Sequence, residues 1–186
     1  MTRGRALRAA LAVAAALALV PPARAGGSEG LRGRAVANAR RHLGQRFPGD
    51  CSGFVIAAWR SAGVAPLLGA GRSRSESLQR GSRRVARPRP GDLAFFHHTY
   101  DRNRDGRAND RFTHVALVEA VDGDRVTLLH RGAARVERIR MDLVRPSDPA
   151  VNDPVRKLGR RDAPGTRSLA GELFAGFGAV AGVDRR

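Results

Sequence analysis

The chain has 186 residues, and Lys plus Arg outnumber Asp plus Glu by 34 to 17, giving a formal net charge of +17. This balance favours anionic partners: an acidic lipid, an anionic wall polymer or nucleic acid. With one Trp, one Tyr, no zinc-finger spacing and no aromatic RNA-binding motif, the sequence argues against nucleic acid as the main partner.

The N-terminal segment is typical of a secretory signal peptide. Three arginines precede a 12-residue apolar run over 9–20, and a small-x-small cleavage site follows at Ala23-Arg24-Ala25. The run is shorter than the roughly 20 residues that a transmembrane helix needs. An uncleaved membrane anchor is the alternative interpretation. We therefore predict a signal peptide over residues 1–25 and a secreted or periplasmic protein.

Two helices are predicted next. Apolar residues recur at helical spacing over 31–44 and 52–62, and a glycine ends each segment. The second segment is apolar nearly all round, which predicts a buried helix. Residues 64–90 are rich in Gly, Ser, Arg and Pro and are predicted to form a long loop with one helical turn near Ser77.

A meander of antiparallel strands is predicted after this loop, with Asp122-Gly123 as a hairpin turn. The predicted strands cover residues 92–97, 114–121, 125–130 and 134–139. Helices followed by antiparallel strands predict an α+β fold.

The folded domain is predicted to span residues 26–146. Beyond Pro146 the sequence becomes rich in Asp, Pro and Arg. Residues 147–186 are therefore predicted to be a basic C-terminal tail, with a short apolar helix over 168–180.

Cys51 is the single cysteine, so it cannot form an internal disulfide. In a secreted chain it is an inert buried thiol, an intermolecular bridge or a reactive group. It follows a turn and begins an apolar helix, where the partial positive charge of the helix N-terminus favours the thiolate. The free N–H groups of that first turn can also stabilise an oxyanion. Cys51 is therefore the candidate nucleophile.

A nucleophilic cysteine needs a base, and two of the five histidines lie on strands that are predicted to pair across the hairpin. His114 opens one predicted strand, and His130 ends the next strand across the hairpin. These ends can lie close together, so we predict His114 as the base and His130 as the residue that orients it. The alternative for each is a strand-end histidine with a purely structural partner.

Three motifs resemble those of the NlpC-type cell-wall cysteine peptidases. Asp50-Cys51-Ser52-Gly53-Phe54-Val55 is similar to the signature D-C-S-G-[LF]-V, residues 90–96 to the strand P-G-D-L-V-F-F, and residues 113–118 to the strand that carries the histidine. One departure is Phe47, which stands where the family usually has a tyrosine. The spacing between His114 and His130 also resembles the related CHAP amidases and endopeptidases.

The resemblance implies a papain-like fold, in which the cysteine begins a buried helix packed on an antiparallel sheet that carries the histidine. It also implies hydrolysis of amide bonds in peptidoglycan stem peptides by Cys51 and His114, with His130 as the third polar residue. This chemistry requires no cofactor.

The segment 101–110 matches the first half of a calcium-binding loop, D-x-[DN]-x-[DN]-G. The match then fails, because position 12 is Phe112 in place of a bidentate glutamate and no helix flanks the loop. The alternative is a polar turn that uses Asp, Asn and Gly for backbone reasons. The candidate ligands for a structural Ca²⁺ are Asp101, Asn103, Asp105, Arg107 through its backbone carbonyl, Asn109 and Asp110.

The leading hypothesis is thus a monomeric, secreted cysteine endopeptidase of peptidoglycan stem peptides, with an anionic envelope surface as a second partner. Two alternatives stay open. One is a CHAP-like amidase, and the other is a non-catalytic, calcium-stabilised module that binds the cell wall.

Overall fold

A computed structural model describes residues 27–160 and 162–183. The predicted signal peptide over residues 1–25 lies outside the described residues. Within the described part of the chain, no helix is both long enough and apolar enough to cross a membrane.

Four helices are formed by the described residues. Their bounds are α1 Ser28–Arg40, α2 Cys51–Ser61, α3 Arg74–Gly81 and α4 Ala170–Leu173. Buried residues of α1 recur three and four positions apart, at Arg32, Ala35, Val36 and Ala39, so the helix lays one face on the core. The second helix is more deeply buried, as its apolar composition predicts.

Six strands form one antiparallel sheet in the order β1-β6-β2-β3-β4-β5. Their bounds are β1 Ser82–Val85, β2 Leu93–Phe96, β3 His114–Asp122, β4 Arg125–Arg131, β5 Val136–Asp142 and β6 Phe174–Val180. The Asp122-Gly123 hairpin is confirmed, and the α+β class is confirmed with Cys51 as the first residue of α2.

Successive strand residues face opposite sides of the sheet, and the two sides carry separate apolar clusters. Phe95 and Leu117 pack on the side of α1 and α2, together with Phe54 and Trp59. On the other side, Phe96 packs with residues of β4, β5 and α4. The sheet is therefore covered on both faces.

The turn before β2 joins the helices to the sheet. Asp92 Oδ1 accepts a hydrogen bond of 2.6 Å from the buried guanidinium of Arg32 in α1. Trp59 of α2 donates its indole N–H to the carbonyl of Gly91, at 3.1 Å. Strand β3 contacts the same turn, because the backbone N–H of Val118 donates to the Asp92 carbonyl at 2.8 Å.

The prediction of a long loop over 64–90 is wrong in its second half. Residues 74–81 form α3, in which the Ser73 hydroxyl caps the helix by accepting from the Glu76 N–H, and residues 82–85 form β1. The helical turn predicted near Ser77 is confirmed as part of α3, which is longer than one turn. The polar composition hid β1, because it is a short strand with no apolar alternation.

The prediction of a C-terminal tail with a helix over 168–180 is also wrong. Only residues 170–173 are helical, and residues 174–180 form β6, which pairs with β1 and β2 inside the sheet. A short apolar run without alternation fits a buried strand as well as a helix, so periodicity alone could not separate them. The domain therefore includes residues well beyond Pro146.

Gly178 tests the packing of β6 against its neighbours. A Cβ at this position lies 2.2 Å from Ser82 Oγ and 3.0 Å from the Phe95 ring. We expect Gly178→Ala to lower the free energy of unfolding by about 1–3 kcal/mol through overpacking, measured by urea denaturation. The matched control is Gly33→Ala, where a Cβ meets nothing within 4 Å and should stabilise α1 by about 0.5–1 kcal/mol. Equal effects of the two changes would contradict the placement of β6.

Candidate active site

The start of α2 is held by the side chain of Asp50, the N-cap residue. One carboxylate oxygen, Oδ1, accepts from the Gly53 N–H and from the Ser52 hydroxyl, both at 2.7 Å. Gly53 also leaves room for this carboxylate, because a Cβ there would lie only 3.3 Å from Oδ1. Burial raises the pKa of Asp50, but these two hydrogen bonds and the nearby Arg74 guanidinium together hold the pKa below its usual value. The residues around the cysteine thus fix the helix start.

Cys51 is half-buried at this helix start. Its Sγ lies 3.7 Å from the Ser75 hydroxyl of α3, and it accepts a hydrogen bond from the backbone N–H of Val115 in β3. Burial raises the pKa of the thiol despite these contacts. The helix N-terminus favours the thiolate, but desolvation penalises the charged form more strongly in the resting protein.

The structure brings His114 and His130 together. The Nε2 atom of His114 and the Nδ1 atom of His130 lie 2.9 Å apart, within hydrogen-bond distance, and both side chains are buried. Burial lowers the pKa of His114 to about 4 and that of His130 to about 3. The nearby Asp50 carboxylate raises the pKa of His114 and the Arg131 guanidinium lowers it, but neither effect exceeds desolvation. Both imidazoles are therefore neutral at pH 7.

Cys51 lies next to this pair in the fold. Its sulfur contacts the backbone N–H of Val115, and Val115 is the residue directly after His114. Among the described residues, the polar contacts of the sulfur are with Ser75, Val115 and its neighbour Ser52, and none is an imidazole. Catalytic hydrogen bonds in free enzymes are often long and tighten only when substrate binds. Because His114 uses Nε2 for His130, Nδ1 is the nitrogen left to accept a proton.

An open cavity of about 500 Å³ lies against the histidine pair. His114 and His130 line it, and the other walls come from the loop after β2, the β4–β5 turn, β5 and the segment 154–157. The polar side chains on these walls are Thr99, Tyr100, Glu137, Arg156 and Lys157. Sequence reasoning missed the contribution of 154–157, because this segment carries no motif and was assigned to the predicted tail.

The loop over 101–110 is closed by its own hydrogen bonds. Asp101 accepts from three backbone N–H groups, those of residues 104, 105 and 106, and the Asn103 amide donates to Asp105 at 3.0 Å. Asp110 accepts from the backbone and the guanidinium of Arg102, so it is engaged by a cation of the protein itself. Among the described residues, no group of three or more His, Cys, Asp or Glu is arranged to hold a metal. Calcium stays a prediction, and Asp110 fits the role of a ligand poorly.

Part of the chain is similar to a known family. Residues 42–132 match the family model of the CHAP domain. The resemblance to NlpC-type and CHAP-type cell-wall peptidases, which the three motifs predicted, is confirmed. CHAP domains are typically hydrolytic cysteine enzymes. The matched segment contains α2, the histidine-bearing strands and the loop between β2 and β3, but neither β5 nor β6.

Two solved structures are similar to the chain. The crystal structure of Ly7917 matches with a TM-score of 0.40 and 20% identity, over 60% of this chain and 56% of that one. Ly7917 with the hydrolyzing product of MDP matches with a TM-score of 0.42 and 21% identity over the same shares. The match spans little more than half the length of those structures. Comparison with curated proteins gives no match.

Because His114 and His130 are buried, we predict that the folded protein loses stability in acid. Their folded pKa values of about 4 and about 3 lie below the value of 6.5 expected for an unfolded histidine. The stabilisation is therefore complete above pH 6.5 and is lost as the pH falls toward 4. Between pH 7 and pH 5 we expect the free energy of unfolding to drop by roughly 2–4 kcal/mol from this pair, measured by urea denaturation. The control is the double change His114→Asn with His130→Asn, which should remove most of that drop; an unchanged drop would contradict the assignment.

Proposed function

We propose that this protein hydrolyses amide bonds in the stem peptides of peptidoglycan, with Cys51 as nucleophile, His114 as base and His130 as the residue that orients His114. The observation that carries the proposal is the buried hydrogen bond between the two imidazoles beside the helix start that bears the only cysteine. The match of residues 42–132 to the CHAP domain supports a peptidoglycan amidase or endopeptidase as the class.

The reaction begins from a neutral thiol and a neutral imidazole. As the sulfur of Cys51 attacks the amide carbonyl, its proton passes to Nδ1 of His114, and the new imidazolium is stabilised by His130 and by the nearby Asp50 carboxylate. The Gly53 N–H is already used by Asp50, so the N–H of Cys51 is the donor from the helix start that faces the oxyanion. His114 then returns the proton to the leaving amine, and water hydrolyses the thioester.

The walls of the cavity support a charged peptide as substrate. Lys157 on one wall suits a carboxylate, whereas Arg156 beside it is already paired with Asp162. Stem peptides carry carboxylates. We propose an endopeptidase that cleaves within the stem, and the CHAP-like amidase, which acts on a different amide of the same polymer, is the alternative that product analysis distinguishes.

Secretion is part of the same proposal, because the substrate lies outside the cytoplasm. The support is the charge pattern and the cleavage site over residues 1–25. The net positive charge supports attraction to an anionic envelope surface, which should weaken as salt is added. We further propose that the protein acts as a monomer.

The direct test is the release of muropeptides from purified sacculi, identified by mass spectrometry. We expect new fragments with the chain from residue 26 onward, and at least a 1,000-fold lower rate with Cys51→Ala, because the nucleophile is removed. The masses of the products identify the bond. The matched control is Ser61→Ala at the far end of α2, which should keep full activity.

A wall-binding module without turnover predicts a different result. Such a module binds sacculi equally well before and after Cys51→Ala and releases no fragment from either protein. Binding without fragments, in folded protein and with Ca²⁺ present, would reject the hydrolase.

We also propose a structural role for Ca²⁺ in the loop over 101–110, on the basis of the oxygen-bearing side chains of Asp101, Asn103 and Asp105. The expected result is a higher thermal midpoint in Ca²⁺ than in chelator, since a ligand of the folded state stabilises by about 2.7 kcal/mol at 100 times its Kd. Asp101→Ala should remove the difference, whereas Asp124→Ala on a distant turn should keep it. Equal midpoints with and without Ca²⁺ would show that the loop closes through its own hydrogen bonds alone.

A further inference from the structure

We infer that Glu137 is a positioning residue of this site, which fixes the proton arrangement of the His114–His130 pair. The inference rests on the proposed function for its consequence in catalysis. Its structural part, the choice of tautomer, is independent of any activity.

Glu137 lies directly opposite His130 on the neighbouring strand. The two residues are register partners in the β4–β5 pair, and Glu137 Oε2 lies 3.8 Å from His130 Nε2. That nitrogen is fully buried and has no hydrogen-bond partner within the described residues. Leaving a buried ring nitrogen unpaired is costly, so a small movement of the carboxylate toward it is favoured.

Gly132 makes room for the carboxylate at this place. A Cβ on residue 132 lies 2.7 Å from Glu137 Oε2 and 3.1 Å from the carboxyl carbon, closer than atoms can approach. Any larger residue displaces the Glu137 side chain from beside His130. The turn between β4 and β5 thus keeps Glu137 free to occupy the edge of the cavity, with its side chain about half exposed.

The carboxylate decides which nitrogens carry protons. An ionised carboxylate only accepts hydrogen bonds, so it selects the tautomer of His130 with the proton on Nε2. The Nδ1 atom of His130 is then an acceptor, and the bond of 2.9 Å requires His114 to carry its proton on Nε2. Nδ1 of His114 is left unprotonated, which is the form that can take the proton of Cys51. With the opposite tautomer, His114 cannot act as the base.

Glu137 also affects the charge that develops on the pair. When His114 accepts a proton, the positive charge lies two hydrogen bonds from the Glu137 carboxylate. The other charged or titratable groups around the pair are Asp50 at the start of α2, Arg131 on β4, and Tyr100, Arg156 and Lys157 on the cavity walls. Asp50 favours the imidazolium and Arg131 opposes it. Removing the negative charge of Glu137 should therefore move the acid limb of the pH–rate profile to lower pH.

The decisive measurement is ¹⁵N NMR of the imidazole nitrogens, on the folded chain from residue 26 onward. In the unchanged protein at pH 7 we expect both His114 and His130 to carry the proton on Nε2. In Glu137→Ala we expect a mixture of tautomers on both rings. A proton on Nδ1 of His130 in the unchanged protein, or the same single tautomer in Glu137→Ala, would overturn the inference, whether or not the protein hydrolyses anything.

Kinetics on a muropeptide substrate provide the second readout. We expect Glu137→Ala and Glu137→Gln to lower kcat about 10- to 100-fold with KM within about twofold, and Glu137→Asp to recover part of the loss. The charge-matched control is Asp124→Asn in the exposed β3–β4 turn, which should leave kcat and the pH profile unchanged. An unchanged kcat and acid limb in Glu137→Gln would overturn the role in catalysis. Inactivity of the unchanged protein would instead count against the proposed function, and the NMR result would stand by itself.

Discussion

The buried ion pair between Arg32 and Asp92 is the interaction on which the arrangement of the layers depends. Both side chains are almost completely buried, and an unpaired charge at either position costs several kcal/mol. The backbone carbonyls of the turn before β2 also accept hydrogen bonds from the indole N–H of Trp59 and from a backbone N–H of β3. Helices α1 and α2 are therefore held at a fixed place on β2 and β3, which places the start of α2 beside the start of β3.

That placement determines the chemistry of the site. The sulfur of the half-buried Cys51 meets the backbone N–H of Val115, one residue after His114. Burial favours the neutral form of the thiol and of both imidazoles, so it raises the pKa of the thiol and lowers the pKa of each imidazole. In the proposed mechanism, the proton moves only when substrate arrives and the developing charges stabilise each other.

Burial also explains why His114, the proposed base, needs hydrogen-bonded partners that fix its tautomer. A histidine that is neutral and buried can exist as either of two tautomers, and only one of them leaves Nδ1 of His114 free. The hydrogen bond between the two histidines makes the tautomer of His114 depend on the tautomer of His130. Glu137 can select that tautomer from the edge of the cavity, where its side chain is half exposed. The cost of burying a full carboxylate beside His114 is avoided.

The C-terminal part of the chain completes both the sheet and the cavity. Strand β6 lies between β1 and β2, so without it β2 would be an edge strand with unpaired backbone groups. The segment 154–157 adds Arg156 and Lys157 to a cavity wall, outside the part of the chain that matches the CHAP domain.

The local sequence determined the elements whose signals are local. The motif around Cys51 fixed the start of α2, because the Asp50 cap, the small Gly53 and the apolar run after them act within a few residues. The Asp122-Gly123 turn fixed the hairpin that brings the two histidine-bearing strands together.

Tertiary structure decided the rest. The short apolar run over 174–180 became a strand only because β1 and β2 offered it two partners, and a run of that length carries no period that separates strand from helix. The net pKa of Cys51 is also decided by the tertiary structure, since the helix start is visible in the sequence while the burial that outweighs it is not. Glu137 lies beside His130 through cross-strand register, a relation between distant residues that sequence spacing does not contain.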